Sequence, residues 1–466
     1  MKHAAILCVA AAALAACTNN DLAAPNRRPA APNHDDISTL AQEVRTLAAG
    51  RGVGPLVRPA PVRPALVRLG QALAFDKILS GNRDISCMTC HLPAFATGDA
   101  RSLPIGQGGI GLGPARMLGT GVLIPRNAPP LFNLFALEAL FWDGRVSRDA
   151  QGNYHTPAGN DLTANMRRVF EFGPVSAQGL FPVMSRAEMR GSGGNELAAL
   201  ADDDFQGTWR GLMRRLGDIP EYRQMFEAAY PGTKFQQMSF AHATNAMAGF
   251  FIDRMSFTNT PWDQFLAGND NALTPAQLDG AKTFLSLKCS ICHGGPAFTD
   301  NRFHNVGLAQ IGPGEGDGPN GNDDFGRFRV TGGSSDKYAF RSTPLRNVEL
   351  TGPYGHGGQF MDLSVFIDHY SESDVKLPAY DVTQLDASLQ GMLLHNTNDI
   401  LATCDPLLAG VVFGSDIVDR LRSYMQALTD DAARDLTSLT PASVPSRLPV
   451  DGRSMLSAPA SAPPAR

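Results

Sequence analysis

The sequence predicts a mostly α-helical protein of two tandem domains connected by long loops. The pentapeptide Cys-x-x-Cys-His occurs twice, in "ISCMTCHLPAF" from Ile85 and in "CSICHGGPAF" from Cys289, each followed by Pro-Ala-Phe and then a Thr. Helically spaced apolar residues lead into both copies, and no alternating strand pattern of any length is found. Gly (47) and Pro (33) are abundant, which demands irregular loops around modest regular structure. A chain of 466 residues can bury more than one core.

In chain order, "MKHAAILCVAAAALAAC" has a basic start and an apolar run too short to span a bilayer. It reads as an export signal over residues 1–17. Leu14-Ala15-Ala16-Cys17 resembles a lipobox, which predicts lipidation of Cys17, and Thr18 resembles an outer-membrane sorting residue. The expected location is the periplasmic side of the cell envelope, on the outer membrane. Residues 18–34 read as a flexible tether and 437–466, rich in Pro, Ser and Ala, as a disordered tail. The first domain is expected over 35–257, with helices from Asp35, over "RPALVRLGQALAFD", and at Thr208–Leu216, Glu221–Tyr230 and Ser239–Met255. A glycine-rich loop region runs from Gly98 to Pro130. The second domain, 258–436, opens with "LTPAQL", where Thr274 caps, Pro275 takes the first helical position and Gln277 completes a capping box.

Charge is nearly balanced, 40 Lys+Arg against 45 Asp+Glu, with no dense basic run, so nucleic acid is not an expected partner. Of seven Cys, Cys8 leaves with the signal, Cys17 takes lipid and four lie in the pentapeptides. Cys404 remains alone, so these thiols serve something other than intramolecular disulfides.

Cys-x-x-Cys-His is the attachment signature of c-type haem: two thiols one helical turn apart add to the porphyrin vinyl groups, and the His ligates iron. Zinc would need two further ligands per copy, and a thiol redox pair does not require the His. Two haems are therefore expected, on Cys87, Cys90 and His91 and on Cys289, Cys292 and His293. A plain electron carrier closes both irons, whereas a catalyst leaves one open.

"SGNRDISCMTCH", "RNAPPLFNLFALEALFWDGR", the second pentapeptide and "STPLRNVELTGPYGHGGQFMDLSVFIDHY" resemble the bacterial di-haem cytochrome c peroxidase family, MauG-type enzymes included. The resemblance covers about Leu66 to Tyr370. It implies two cytochrome c-like domains, the first peroxidatic and the second transferring electrons. It further implies reduction of hydrogen peroxide to water, with electrons from a small cytochrome c or cupredoxin relayed through the second haem. In "AQGLFPVMSRAEM", Gln178, Pro182 and Glu188 match the family's distal pocket, with Glu188 as proton shuttle. Trp142 matches the residue between the haems, and Asn127, Thr351 and Pro353 match an inter-domain calcium site.

Two departures matter. Where the best-known peroxidases carry a distal His in a Gly-rich loop, "LPIGQGGIG" offers Gln107, which implies an iron already open. At the family's Met ligand of the second haem stands Tyr370, as in MauG-type enzymes, with His369 and Met361 as rivals. Both departures lean towards an enzyme that oxidises residues of a partner protein; a non-catalytic relay is the third alternative. His155, His242, His304 and His395 are expected to be surface or structural.

Overall fold

The computed structural model describes residues 34–453. The predicted signal, the Cys17 anchor, the tether to residue 33 and the tail beyond residue 453 lie outside them. Among the described residues no helix is long and apolar enough to cross a membrane.

Two hydrophobic cores organise the chain. In the first, α2 (Pro64–Phe75) starts on Pro64, whose fixed φ suits a first helical turn, and buries Leu66, Leu69, Leu73 and Phe75. It crosses α6 (Phe240–Arg254), which is buried on nearly all sides. Gly70 permits that crossing: a Cβ there would lie 1.9 Å from the Ala246 carbonyl oxygen. Between them α4 (Phe205–Gly217) and α5 (Pro220–Ala229) close the core with Trp209, Leu212, Tyr222 and Phe226. The one-turn helix α3 (Cys87–Cys90) carries the first pentapeptide.

The second core is an aromatic cluster. Trp262, Phe284, Phe298 and Tyr424 meet with ring centroids 5.1–6.3 Å apart. Burying each such ring contributes about 1.5–3 kcal/mol. Helix α7 (Pro275–Ser286) is capped as the sequence predicts: Thr274 Oγ1 accepts from the Gln277 N–H at 3.2 Å, and Gln277 Oε1 accepts from the Thr274 N–H at 2.9 Å. It packs on α10 (Ser415–Ala427), and α8 (Cys289–Cys292) holds the second pentapeptide. Strands are only two or three residues long, too short for a period of two to be read from sequence. β1 (Ala139–Leu140), β2 (Val146–Arg148) and β3 (Tyr154–His155) form an antiparallel sheet, and β4 (Phe303–His304) pairs with β5 (Phe340–Arg341).

The chain ends depart from the expected boundaries. Helix α1 (His34–Gly50), expected to open the first domain, belongs instead to the second core, burying Ala41, Val44 and Ala48. Arg45 donates to the Phe265 carbonyl and Lys282 pairs with Glu43 at 2.8 Å. Conversely, residues 437–453 are not a disordered tail. They return to the first core, where Val444 is buried and Leu439, Leu448 and Val450 pack. Polar anchors fix them: Gln71 Nε2 donates to the Leu439 carbonyl, Ser446 Oγ to Asp76 at 2.6 Å, and Lys77 pairs with Asp451 at 2.7 Å. Four spaced apolar residues suffice to order a segment whose average composition looks unfoldable.

Candidate functional site

At the first pentapeptide, Ser86 and Thr89 form a capping box that sets the single turn of α3. Thr89 Oγ1 also donates to Asp451 of the returning chain end at 2.5 Å. His91 Nδ1 donates to the Thr97 carbonyl at 2.9 Å, which leaves Nε2 for a ligand. Burial lowers the His91 pKa, so the imidazole is neutral. No disulfide joins any of the five described cysteines.

Glu188 reaches this site from a π-helical turn, Arg186–Arg190, whose start is capped by Ser185 Oγ accepting from the Glu188 N–H at 3.2 Å. The Gly-rich loop locks onto that turn. Gln107 N–H donates to the Glu188 carbonyl at 2.9 Å, and a Cβ on Gly106 would lie 1.8 Å from the Ala187 carbonyl oxygen. Burial pushes the Glu188 carboxyl up to about 7, against the pull of Arg145 and Arg126 and with a further push from Glu315. Burial likewise lifts the Cys87 thiol to about 11, and the Glu188 charge adds a smaller push in the same direction. Gln178 ends the short helix Pro174–Gln178, and Pro182 lies on the turn between it and Glu188; no side-chain hydrogen bond joins Gln178 to Glu188. The Gln107 amide turns to Asp84 at 3.4 Å, so the loop's hold on Glu188 is through its backbone.

A buried charge network runs from this pocket across the domain interface. Arg126 donates to both oxygens of Asp324, at 2.7 and 2.8 Å, and to Asp143 at 2.6 Å. Arg145 meets the same Asp143 carboxylate at 3.0 Å. Burial alone would raise Asp143, but the two guanidiniums outweigh it and hold it at about 2.

The second pentapeptide opens on a cavity of about 410 Å³ with a mostly apolar lining, within the roughly 300–1,000 Å³ of small-molecule sites. Cys289, Cys292, His293 and Tyr370 line it, and Trp142 enters from the first domain. His293 Nδ1 donates to the Phe298 carbonyl at 3.2 Å, repeating the arrangement at His91. Tyr370 follows α9 (Leu363–His369), and burial raises its phenol above the usual range, so a phenolate there needs a cation beside it. Neither rival lines the cavity: His369 Nε2 donates to the Val306 carbonyl at 3.0 Å, and Met361 lies outside the lining. Trp142 Nε1 donates to the Asn127 carbonyl at 2.9 Å, and Asn127 N–H to the His356 carbonyl at 2.7 Å, tying the two domains. Two thiols, a neutral oriented imidazole and an apolar cavity fit a covalently attached haem.

Asn127, Thr351 and Pro353 converge on a second cleft, of about 10 Å³, room for one water-sized species. Asp99 lines it too, 1% exposed, with Oδ2 buried and unpartnered. Sequence reading missed Asp99, whose only signal was its place just after the first pentapeptide's Thr97. His304 also does more than the default reading allowed. It donates to Asp300 at 3.0 Å and Asp405 at 2.5 Å, and the Asp300 bond, with Cys292 and Asp405 beside it, raises its pKa. Its Nδ1 is 4.0 Å from Cys292 Sγ, so a charge sits against the second attachment helix.

The profile of the family described as di-haem cytochrome c peroxidase matches residues 64–271. The chain is 30% identical to the cytochrome c551 peroxidase of Pseudomonas aeruginosa over 339 residues, 72% of this chain and 81% of that one. It is 28% identical to the methylamine utilization protein MauG of Methylorubrum extorquens over 322 residues, 68% and 72% of the two chains. Among solved structures, a MauG-like protein associated with microbial copper homeostasis superposes with a TM-score of 0.57 at 24% identity, over 82% of this chain and 95% of that one. The diheme peroxidase BthA from Burkholderia thailandensis gives 0.55 at 16% identity, with the same coverage.

Proposed function

The chain belongs to the di-haem cytochrome c peroxidase family and is a haem peroxidase; from that premise we propose that hydrogen peroxide reacts at the Cys87–His91 site with Glu188 as its proton shuttle. What supports this is the geometry of the Arg186–Arg190 turn, whose Glu188 backbone is locked by the Gln107 N–H of the Gly-rich loop, with burial raising the Glu188 carboxyl to about 7. When bound, the haem pair supplies the redox chemistry, accepting two oxidising equivalents from peroxide and giving them up as single electrons. Glu188 would take a proton from the bound peroxide and return it to the departing oxygen. With two electrons and two further protons the products are two waters. His91, its Nδ1 engaged with Thr97, presents Nε2 as proximal ligand, and His293 does so at the second site. Tyr370 completes the second site's ligand set. Trp142, an oxidisable indole hydrogen-bonded to Asn127, carries charge between the domains. Gln178 and Pro182 shape the wall beside Glu188. Calcium at Asn127, Thr351 and Pro353, with Asp99 supplying negative charge, pins the domain interface.

Cys17 lipidation anchors the enzyme on the periplasmic face of the outer membrane, and a small cytochrome c or cupredoxin is the electron donor. A second reading, oxidation of residues in a partner protein, is favoured by Tyr370 at the second cavity. The test is stopped-flow mixing with peroxide. Glu188→Gln slows the first spectral change if the assignment holds, and an unchanged rate removes Glu188 from its role. Peroxide turnover that needs a reduced cytochrome supports the first reading; cross-links or oxidations in a partner protein support the second.

A further inference from the structure

Three buried guanidiniums line or flank the second cavity's side of the interface, and two are matched. Arg126 holds Asp324 and Asp143, and Arg346 holds Asp263 through both oxygens at 2.7 and 2.9 Å. Arg341 is different. It lines the cavity at 6% exposure, and no carboxylate lies within ion-pair distance among the described residues. Among the described residues its guanidinium makes only long hydrogen bonds, to the Phe141 carbonyl at 3.5 Å and the Ser342 carbonyl at 3.4 Å. Burial lowers its pKa to about 10 with no opposing charge. A buried cation left like this is strongly unfavourable unless an anion joins it. His356, stacked on the neighbouring Phe340 at 3.6 Å, lines the same cavity. Its Nε2 lies 3.4 Å from the Gln359 amide nitrogen, which makes Nε2 the acceptor and Nδ1 the N–H donor, and Nδ1 is buried without a partner.

A haem brings two anionic groups, its propionates, and they are carboxylates of the kind that a guanidinium fork binds in pairs. We propose that Arg341 is the ion-pair partner of a propionate of the haem attached at Cys289 and Cys292. Arg341 also donates its backbone N–H to the Trp142 carbonyl at 2.9 Å, so the pair sits where charge crosses between the domains. The guanidinium then holds the second haem's potential up, because a nearby cation disfavours the ferric state.

The inference rests on the two-haem reading, and the experiment separates them. Haem stoichiometry of the purified holoprotein, by pyridine haemochromogen, tests that reading alone: fewer than two haems removes it. With two haems attached, Arg341→Gln should shift the second haem's reduction equilibrium about tenfold towards ferric, 59 mV for a one-electron couple. Arg341→Lys should leave it nearer the parent value. In either variant the propionate bending band in the resonance Raman spectrum should move. A Raman band unmoved in Arg341→Lys, or a potential that shifts equally in Lys and Gln, would overturn the assignment.

Discussion

The two Cys-x-x-Cys-His turns are close copies with different surroundings. Each has two thiols on one helical turn and a His whose Nδ1 is tied to a carbonyl five or six residues on, at 2.9 Å in the first copy and 3.2 Å in the second. Around the first gather a carboxyl near pKa 7, a glycine loop bound to its backbone, and the interdomain charge network. Around the second lie an apolar cavity, a phenol and an unmatched guanidinium. The comparison teaches that the attachment motif sets only where a cofactor hangs. On the function proposed, the outer residues divide the labour, proton handling on one side and charge storage on the other.

The largest effect that would break this division is at Glu188. Glu188→Gln should lower kcat/KM for peroxide by about 10²–10⁴-fold, as loss of a positioned acid–base group does, while leaving the second haem's spectrum intact. Tyr370→Met should raise the second haem's midpoint potential by a sizeable part of the roughly 0.8 V range that axial ligands command, with the first unchanged. An unmoved second potential in a redox titration would mean Tyr370 is not the ligand.

The pH dependence sharpens the contrast further. The ionised form of Glu188 accepts the proton, so kcat/KM should climb as pH rises through about 7, and the limb should vanish in Glu188→Gln. Stability moves the opposite way. The folded-state pKa is raised above the ordinary 4.5, so the folded protein binds this proton more tightly than the unfolded chain. Its destabilising effect is absent below about pH 4.5 and fully present above about 7. Glu188→Gln should therefore raise Tm at pH 8 and leave it unchanged at pH 4, by calorimetry.

Smaller effects are expected at the interface and the chain end. Asp99→Asn should weaken calcium binding in a titration against a chelator while both haems stay attached. Asp451→Asn, which loosens the returning segment from Lys77 and Thr89, should cost about 1.5–3 kcal/mol in denaturant unfolding, the range for a hydrogen bond to a charged group.

Much of this was readable in the sequence where local rules dominate. The Thr274–Gln277 capping box, the helices of the first core and both pentapeptide turns follow from neighbours three or four residues apart. What escaped depends on distant partners. Helix α1 pairs with α7 some 240 residues away, and Ser446 with Asp76 370 residues away, which no local pattern encodes. Arg341 and Asp99 stand out only when burial and missing partners are known, because any sequence holds many Arg and Asp residues with ordinary partners. That His369 turns to the Val306 carbonyl while Tyr370 lines the cavity is a fact of packing that no local pattern announces.

The central claim is that one iron keeps a face open while the other is closed by the protein. EPR and absorption spectra of the resting ferric holoprotein test it most directly. The account predicts one high-spin and one low-spin haem, both perturbed by peroxide. Two low-spin haems indifferent to peroxide would contradict it.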